Sequence, residues 1–156
     1  MMSPQTLRSF LRLDQKQKRT VLVAAMMLVA TRVGLRLLGF RAWRKFLGSF
    51  GDRLATERVC EASFGRALAI ARMQSSAERH LFFRPSCLEH SLVLHWMLRR
   101  EGIAAAMRIG GRKQSGQFEA HAWIEVNGIP LGSAGTDGAE FVPFDAAHSS
   151  LETEIS

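Results

Sequence analysis

The stretch Arg84-Pro85-Ser86-Cys87-Leu88-Glu89-His90-Ser91-Leu92-Val93-Leu94-His95-Trp96-Met97-Leu98-Arg99-Arg100-Glu101-Gly102 reads as a helix that begins at a cysteine. Leu88, Leu92, Trp96 and Leu98 recur at helical spacing, and Gly102, after Arg99-Arg100-Glu101, supplies the stop. Pro85 turns Arg84 away from helical geometry just before the start. Cys87 therefore occupies the first turn. Unsatisfied N–H groups and the positive end of the helix dipole favour negative charge there, the setting that a cysteine nucleophile uses. The competing reading is a small buried hydrophobe, the commoner fate of a lone cysteine.

Past Gly102 the pattern changes from helical to alternating. Residues 104–110 and 118–126 read as strands joined by a polar loop, Gly111-Arg112-Lys113-Gln114-Ser115-Gly116. In Ala120-His121-Ala122-Trp123-Ile124-Glu125-Val126, a period of two places His121, Trp123 and Glu125 on one face and the apolar residues on the other. Asn127-Gly128 is a two-residue hairpin signal that returns the chain as Ile129-Pro130-Leu131. A last short strand, Phe141-Val142-Pro143-Phe144, precedes a polar tail over residues 145–156.

Upstream, the pattern is helical throughout. Residues 4–13 suggest a short helix with Leu7, Phe10 and Leu11 on one side. Asp14 can cap a helix that runs through residues 21–38 and stops at Gly39. Its middle is apolar nearly all round, so protein is expected to cover both sides. Residues 41–47 form another short amphipathic helix, ended by Gly48-Ser49-Phe50-Gly51, with Trp43 and Phe46 assigned to the core. Residues 56–74 place Val59, Cys60, Phe64, Ala67, Leu68 and Ala71 on one stripe, and Ser75-Ser76-Ala77 opens a connector to Pro85. The fold class is thus α+β, with N-terminal helices followed by the Cys87 helix and a small antiparallel sheet.

A chain of 156 residues, 47% of them hydrophobic, supports one domain with a real core and is no disordered tail. Its net charge of +7 suits nucleic acid, an anionic membrane or an acidic peptide, or else a solvated arginine face. Cys60 and Cys87 are too few for a disulfide framework and lack the paired spacing of a zinc site, so a reducing cytoplasm is expected. The first residues do not read as a signal peptide. The longest apolar run, residues 21–30, is half of what a spanning helix needs, so no transmembrane span is expected.

A cysteine at a helix start and a histidine on a following strand suit acyl transfer through a thiol. The imidazole takes the thiol proton and later protonates the leaving group, and a third group fixes its tautomer. His80, His90, His95 and His148 compete with His121 for that role. His90 and His95 lie on the Cys87 helix itself and reach back to its N-terminus poorly, although His90, three residues on, stays open as a local partner.

Phe83-Arg84-Pro85-Ser86-Cys87-Leu88, Leu98-Arg99-Arg100-Glu101-Gly102-Ile103-Ala104-Ala105, Arg108-Ile109-Gly110 and Phe118-Glu119-Ala120-His121-Ala122-Trp123-Ile124-Glu125-Val126-Asn127-Gly128 together resemble the transglutaminase-like leader peptidases of lasso-peptide biosynthesis. More narrowly they resemble the separate protease half of the split B protein. The resemblance implies a transglutaminase-like (papain-like) catalytic core over residues 76–148, with a helical part over residues 1–75 packed on it and a polar tail over residues 149–156, all in one structural domain. It implies a cysteine endopeptidase that removes the leader from a ribosomally made precursor peptide, with Cys87 as nucleophile, His121 as general base and acid, and no cofactor or metal. The partners it implies are the precursor peptide, a separate leader-recognition protein and the ATP-dependent lasso cyclase that receives the product; nucleic acid is not expected. The family usually carries an aspartate on the strand returning from the hairpin. Here that slot falls near Ser133, so the third member is Ser133, re-aimed by a bulge, or Asp137 four residues on.

Two other readings stand beside this one. The same fold could pass its acyl group to an amine instead of water. From a different class comes a basic helical module for nucleic acid or anionic membrane, with Arg32, Arg36, Arg41, Arg44 and Lys45 as contacts.

Overall fold

The computed structural model describes residues 14–51, 61–114, 117–131 and 141–144. Among them the chain forms α1 (Gln15–Gly51), α2 (Glu61–Glu78), α3 (Cys87–Arg100), β1 (Ala106–Gln114), β2 (Gln117–Val126), β3 (Ile129–Pro130) and β4 (Val142–Pro143). The strands make one antiparallel sheet in the order β3-β2-β1-β4. This is the α+β architecture that the alternation of patterns predicts.

Helix α3 is the centre of the molecule. Leu92, Val93, Leu94, Met97 and Leu98 are all buried, packed against Val21, Ala24 and Leu28 of α1, Ala67, Ile70 and Ala71 of α2, and Ile124 and Val126 of β2. A helix buried on most of its circumference needs such cover. Full burial of a leucine contributes roughly 1.5–3 kcal/mol, so Leu94 and Leu98, both fully buried, are among the side chains that hold α3 between helices and sheet. The helix ends beyond Arg100, where Ile103 N–H donates to Leu98 O at 3.0 Å across Gly102.

At the start of α1, Asp14 Oδ1 accepts from Gln15 N–H at 2.8 Å. At Gly39 the backbone leaves helical geometry (φ 75°, ψ 171°), a conformation that costs glycine least. The chain turns there and residues 40–51 form a second helical piece, which lays Trp43 so close over Gly34 that a Cβ on Gly34 would overlap the indole. Trp43 is buried, as expected, whereas its stacking partner Phe46 is exposed. The hairpin also follows the sequence: Asn127 and Gly128 both take positive φ, pairing Val126 with Ile129.

Besides the exposure of Phe46, and the helix running on through residues 48–51 where a stop was expected, the structure departs from the sequence reading in three places. Residues 111–114 are not loop but the end of β1, paired from Gly111↔Ala120 to Gln114↔Gln117, and Arg112 Nε donates to Glu119 Oε2 at 2.8 Å across the strands. Ser75-Ser76-Ala77 is not a connector but part of α2: Gln74 is wholly buried, Ala77 is buried, and Gln74 Nε2 donates to Glu78 Oε1 (3.1 Å) and His90 O (2.9 Å), so tertiary partners override the loop propensity of serine. Finally, among the described residues protein covers α1 on one side only. Leu22, Met26, Val29, Val33 and Leu37 face outward, because the two neighbouring helices, α2 and α3, occupy only the opposite face, where Val21, Ala24 and Leu28 are buried. The expected helix over residues 4–13, the start of the 56–74 helix with Val59 and Cys60, and the tail lie outside the described residues.

Candidate active site

Cys87 is the first residue of α3, free and partly exposed. Its position is fixed by a capping box: Ser86 Oγ accepts from Glu89 N–H at 3.2 Å, and Ser86 N–H donates to Glu89 Oε2 at 2.7 Å. The same Oε2 meets Arg32 Nη1 of α1 at 3.5 Å, and the Arg32 guanidinium lies over the Phe83 ring, 4.4 Å from its centroid. Buried Glu89 thus pins the start of α3 to both the preceding turn and α1. Its charge sits where a helix N-terminus favours it.

One turn along, Ser91 is completely buried and its hydroxyl donates to Ala122 O of β2 at 2.9 Å. Ser91 lies about 6 Å along the axis from Cys87, and Ala122 is the neighbour of His121. The bond therefore holds the cysteine end of α3 against the His121 segment of β2. The period-two alternation holds only in part, since Trp123 is buried along with its neighbours Ala122 and Ile124, and Ala120 is exposed. Ala122, Ile124 and Val126 are buried, Ile124 and Val126 in the main core cluster, while on the other face Trp123 Nε1 donates to Glu125 Oε1 at 2.9 Å and Arg108 Nε donates to Glu125 Oε2 at 3.1 Å.

The His121 ring stacks with two aromatic side chains. Trp123 stacks at 6.2 Å between centroids, as two residues apart on a strand allows, and Phe141 stacks at 4.9 Å with an interplanar angle of 28°. Arg112 lies over Phe141, 4.6 Å from its centroid. The stack depends on how closely β4 approaches β1. Gly110 pairs with both His121 and Pro143, and a Cβ there would collide with Val142 O and crowd the Trp123 ring.

Two of the competing histidines, His90 and His95, are engaged elsewhere. His90 Nδ1 meets Glu78 Oε1 at 2.5 Å, within the network of Gln74. His95 packs near the far end of α3 with Nε2 3.2 Å from Ala105 O, to which it donates. Burial, then the nearby Arg99 charge, push the His95 pKa below its ordinary value, so the ring is neutral at pH 7. His80 is exposed in the turn after α2. His148, Ser133 and Asp137 lie outside the described residues. Among the described residues no group of three or more His, Cys, Asp or Glu side chains is arranged to hold a metal ion. A pocket of about 550 Å³ opens near the other end of α3, lined by Thr20, Ile70, Met73, Trp96 and Arg100 among others. It contains neither Cys87 nor His121, so side-chain chemistry, not cavity size, locates the candidate site.

Residues 23–144 match the transglutaminase-like superfamily. The chain belongs to that superfamily. Membership fits the α+β fold of helices with a small antiparallel sheet, and it points to cysteine peptidase or acyltransferase chemistry. No curated protein and no solved structure matches the chain. Within this transglutaminase-like domain, sequence reasoning missed Glu89, Ser91, Gly110 and Phe141. Only Glu89 left a local signal, the Ser86-x-x-Glu89 capping pattern.

Proposed function

We propose that the protein is a cysteine endopeptidase that removes the leader from a lasso-peptide precursor, with Cys87 as nucleophile and His121 as general base and acid. The observation that supports this reading best is the Ser91–Ala122 bond, which ties the Pro85-Ser86-Cys87-Leu88 helix start to the His121-Ala122-Trp123 strand in a transglutaminase-like chain. His121 takes the Cys87 proton as sulfur attacks the scissile carbonyl carbon. The carbonyl oxygen, now negative, lies toward the first-turn N–H of Cys87. The C–N bond then breaks and His121 returns the proton to the departing amine, leaving a thioester. Water attacks the thioester, giving its proton to His121, and the C–S bond breaks to release the leader's carboxylate and restore the thiol. Ser133 or Asp137 accepts the second imidazole N–H and fixes the tautomer. A separate leader-recognition protein delivers the precursor, and the lasso cyclase consumes the freed amine in the cytoplasm.

The test is to incubate the full chain with a precursor peptide and its recognition protein and to follow masses. Release of leader and core by the native chain, and none by the folded Cys87→Ala variant, is expected. Cleavage undiminished in that variant overturns the proposal. Adding a primary amine separates hydrolysis from acyl transfer: a leader ending in free carboxylate supports the peptidase, and a leader amide of the added amine overturns it in favour of a transferase.

A further inference from the structure

We propose that the outward face of α1 is a docking surface for an anionic lipid membrane. Leu22, Met26, Val29, Val33 and Leu37 are between 37% and 78% exposed. Their spacing of three and four residues sets them in one stripe along the helix, about 22 Å long. The opposite side of the same helix carries Val21, Ala24, Leu28 and Thr31, all buried in the molecule. The stripe is therefore presented by a helix already held in place, lying along the surface of the protein.

Charge specifies the occupant. Between Gln15 and Gly51 the chain has eight lysines and arginines and no aspartate or glutamate. Arg19 and Arg36 are exposed close to the two ends of the stripe, and Arg41, Arg44 and Lys45 are exposed on the piece beyond Gly39, beside exposed Phe46. An apolar face flanked only by cations is what binds the interface of an anionic bilayer, with aliphatic side chains entering the acyl boundary and arginines at the phosphates. A second copy of the chain would set these cations against one another with no acidic partner on either helix. A nucleic acid would satisfy the cations and leave the aliphatic stripe in water. The helix also has, over Gln17–Ser49, the length and apolar composition to cross a membrane. Its packing against α2 and α3 favours lying on the surface, since crossing would strip Ala24 and Leu28 from the core.

The test is co-sedimentation of the full chain with vesicles of phosphatidylcholine alone or mixed with phosphatidylglycerol, at low and high salt. Binding to the mixed vesicles only, released by salt, is expected. Leu22→Gln/Met26→Gln/Val33→Gln and, separately, Arg36→Gln/Arg41→Gln/Arg44→Gln each weaken it roughly hundredfold while circular dichroism and thermal unfolding stay native-like. Equal binding to neutral vesicles, or retention through high salt as by a spanning helix, overturns the proposal. So does absence of vesicle binding, whether the stripe then proves to mediate self-association, to hold the recognition protein, or to bind nothing. Leader cleavage is measured in parallel without lipid, so failure here is separable from failure of the peptidase reading.

Discussion

Replacing Glu89 by alanine removes three things at once from the start of α3. Ser86 N–H loses a 2.7 Å bond to a carboxylate, the first turn loses a favourably placed negative charge, and Arg32 loses its partner at 3.5 Å. A hydrogen bond to a charged group is worth about 1.5–3 kcal/mol and a helix cap about 1 kcal/mol. The Arg32 pair adds at most about 1 kcal/mol, since Arg32 is one-third exposed and solvent screens it. These contributions overlap, so about 2–3 kcal/mol is expected for the whole, a drop in Tm of roughly 5–10 °C for a chain of this size. Urea denaturation measures the stability directly. Because Cys87 is two residues from Glu89, reaction at the cysteine should fall more steeply than stability requires, through fraying of the first turn. Glu89→Gln, which keeps an acceptor for Ser86 N–H, should recover about half of the stability. If Glu89→Ala costs less than about 0.5 kcal/mol and leaves the cysteine's reactivity unchanged, the capping box does not hold the site, and the reasoning fails.

Other outcomes follow from the same contacts. His95 has a lowered pKa in the fold, so protons bind the unfolded chain more readily: its contribution is complete above about pH 6.5 and is lost as pH falls below that value. Urea midpoints between pH 7.5 and 5 should decline, and less so in His95→Gln; parallel slopes would contradict this. Gly110→Ala should destabilise by about 1–3 kcal/mol by forcing β4 away from β1, and should disturb the His121 ring signals in NMR spectra. Phe141→Leu removes the stacked ring while keeping an apolar side chain, and should slow reaction at Cys87 about two- to tenfold, the worth of an aromatic stack, with the fold retained. Ser91→Ala should cost about 1 kcal/mol and loosen α3 from β2, seen as faster amide exchange around Ala122.

The Cys87 helix was legible in the sequence because several local signals agree there: the proline before it, the apolar stripe and the glycine after it. The hairpin was legible because Asn127-Gly128 can adopt the two positive φ values that its turn requires. What escaped reading depends on distant partners. Gly111 to Gln114 looks like a loop by composition, but Arg112 finds Glu119 across the strands. Ser75-Ser76 looks like a break, but Gln74 reaches the backbone of His90, sixteen residues on. All-round apolarity in α1 gave no means of telling a covered face from a bare one. The stack of Phe141 on His121 joins residues twenty apart in sequence and has no local trace. Cys87 and His121 could be named from sequence as a pair of chemical types, whereas Ser91, which ties their two elements together, looked like one more polar residue in a helix.

The central claim, that Cys87 reacts as a nucleophile assisted by His121, is tested most directly by acylating the folded chain with a limiting amount of an activated ester and mapping the label by mass spectrometry. The account predicts label on Cys87 rather than Cys60, at a rate that falls at least tenfold in His121→Ala and is unchanged in His80→Ala. Label on Cys60, or a rate at Cys87 indifferent to His121, would contradict it.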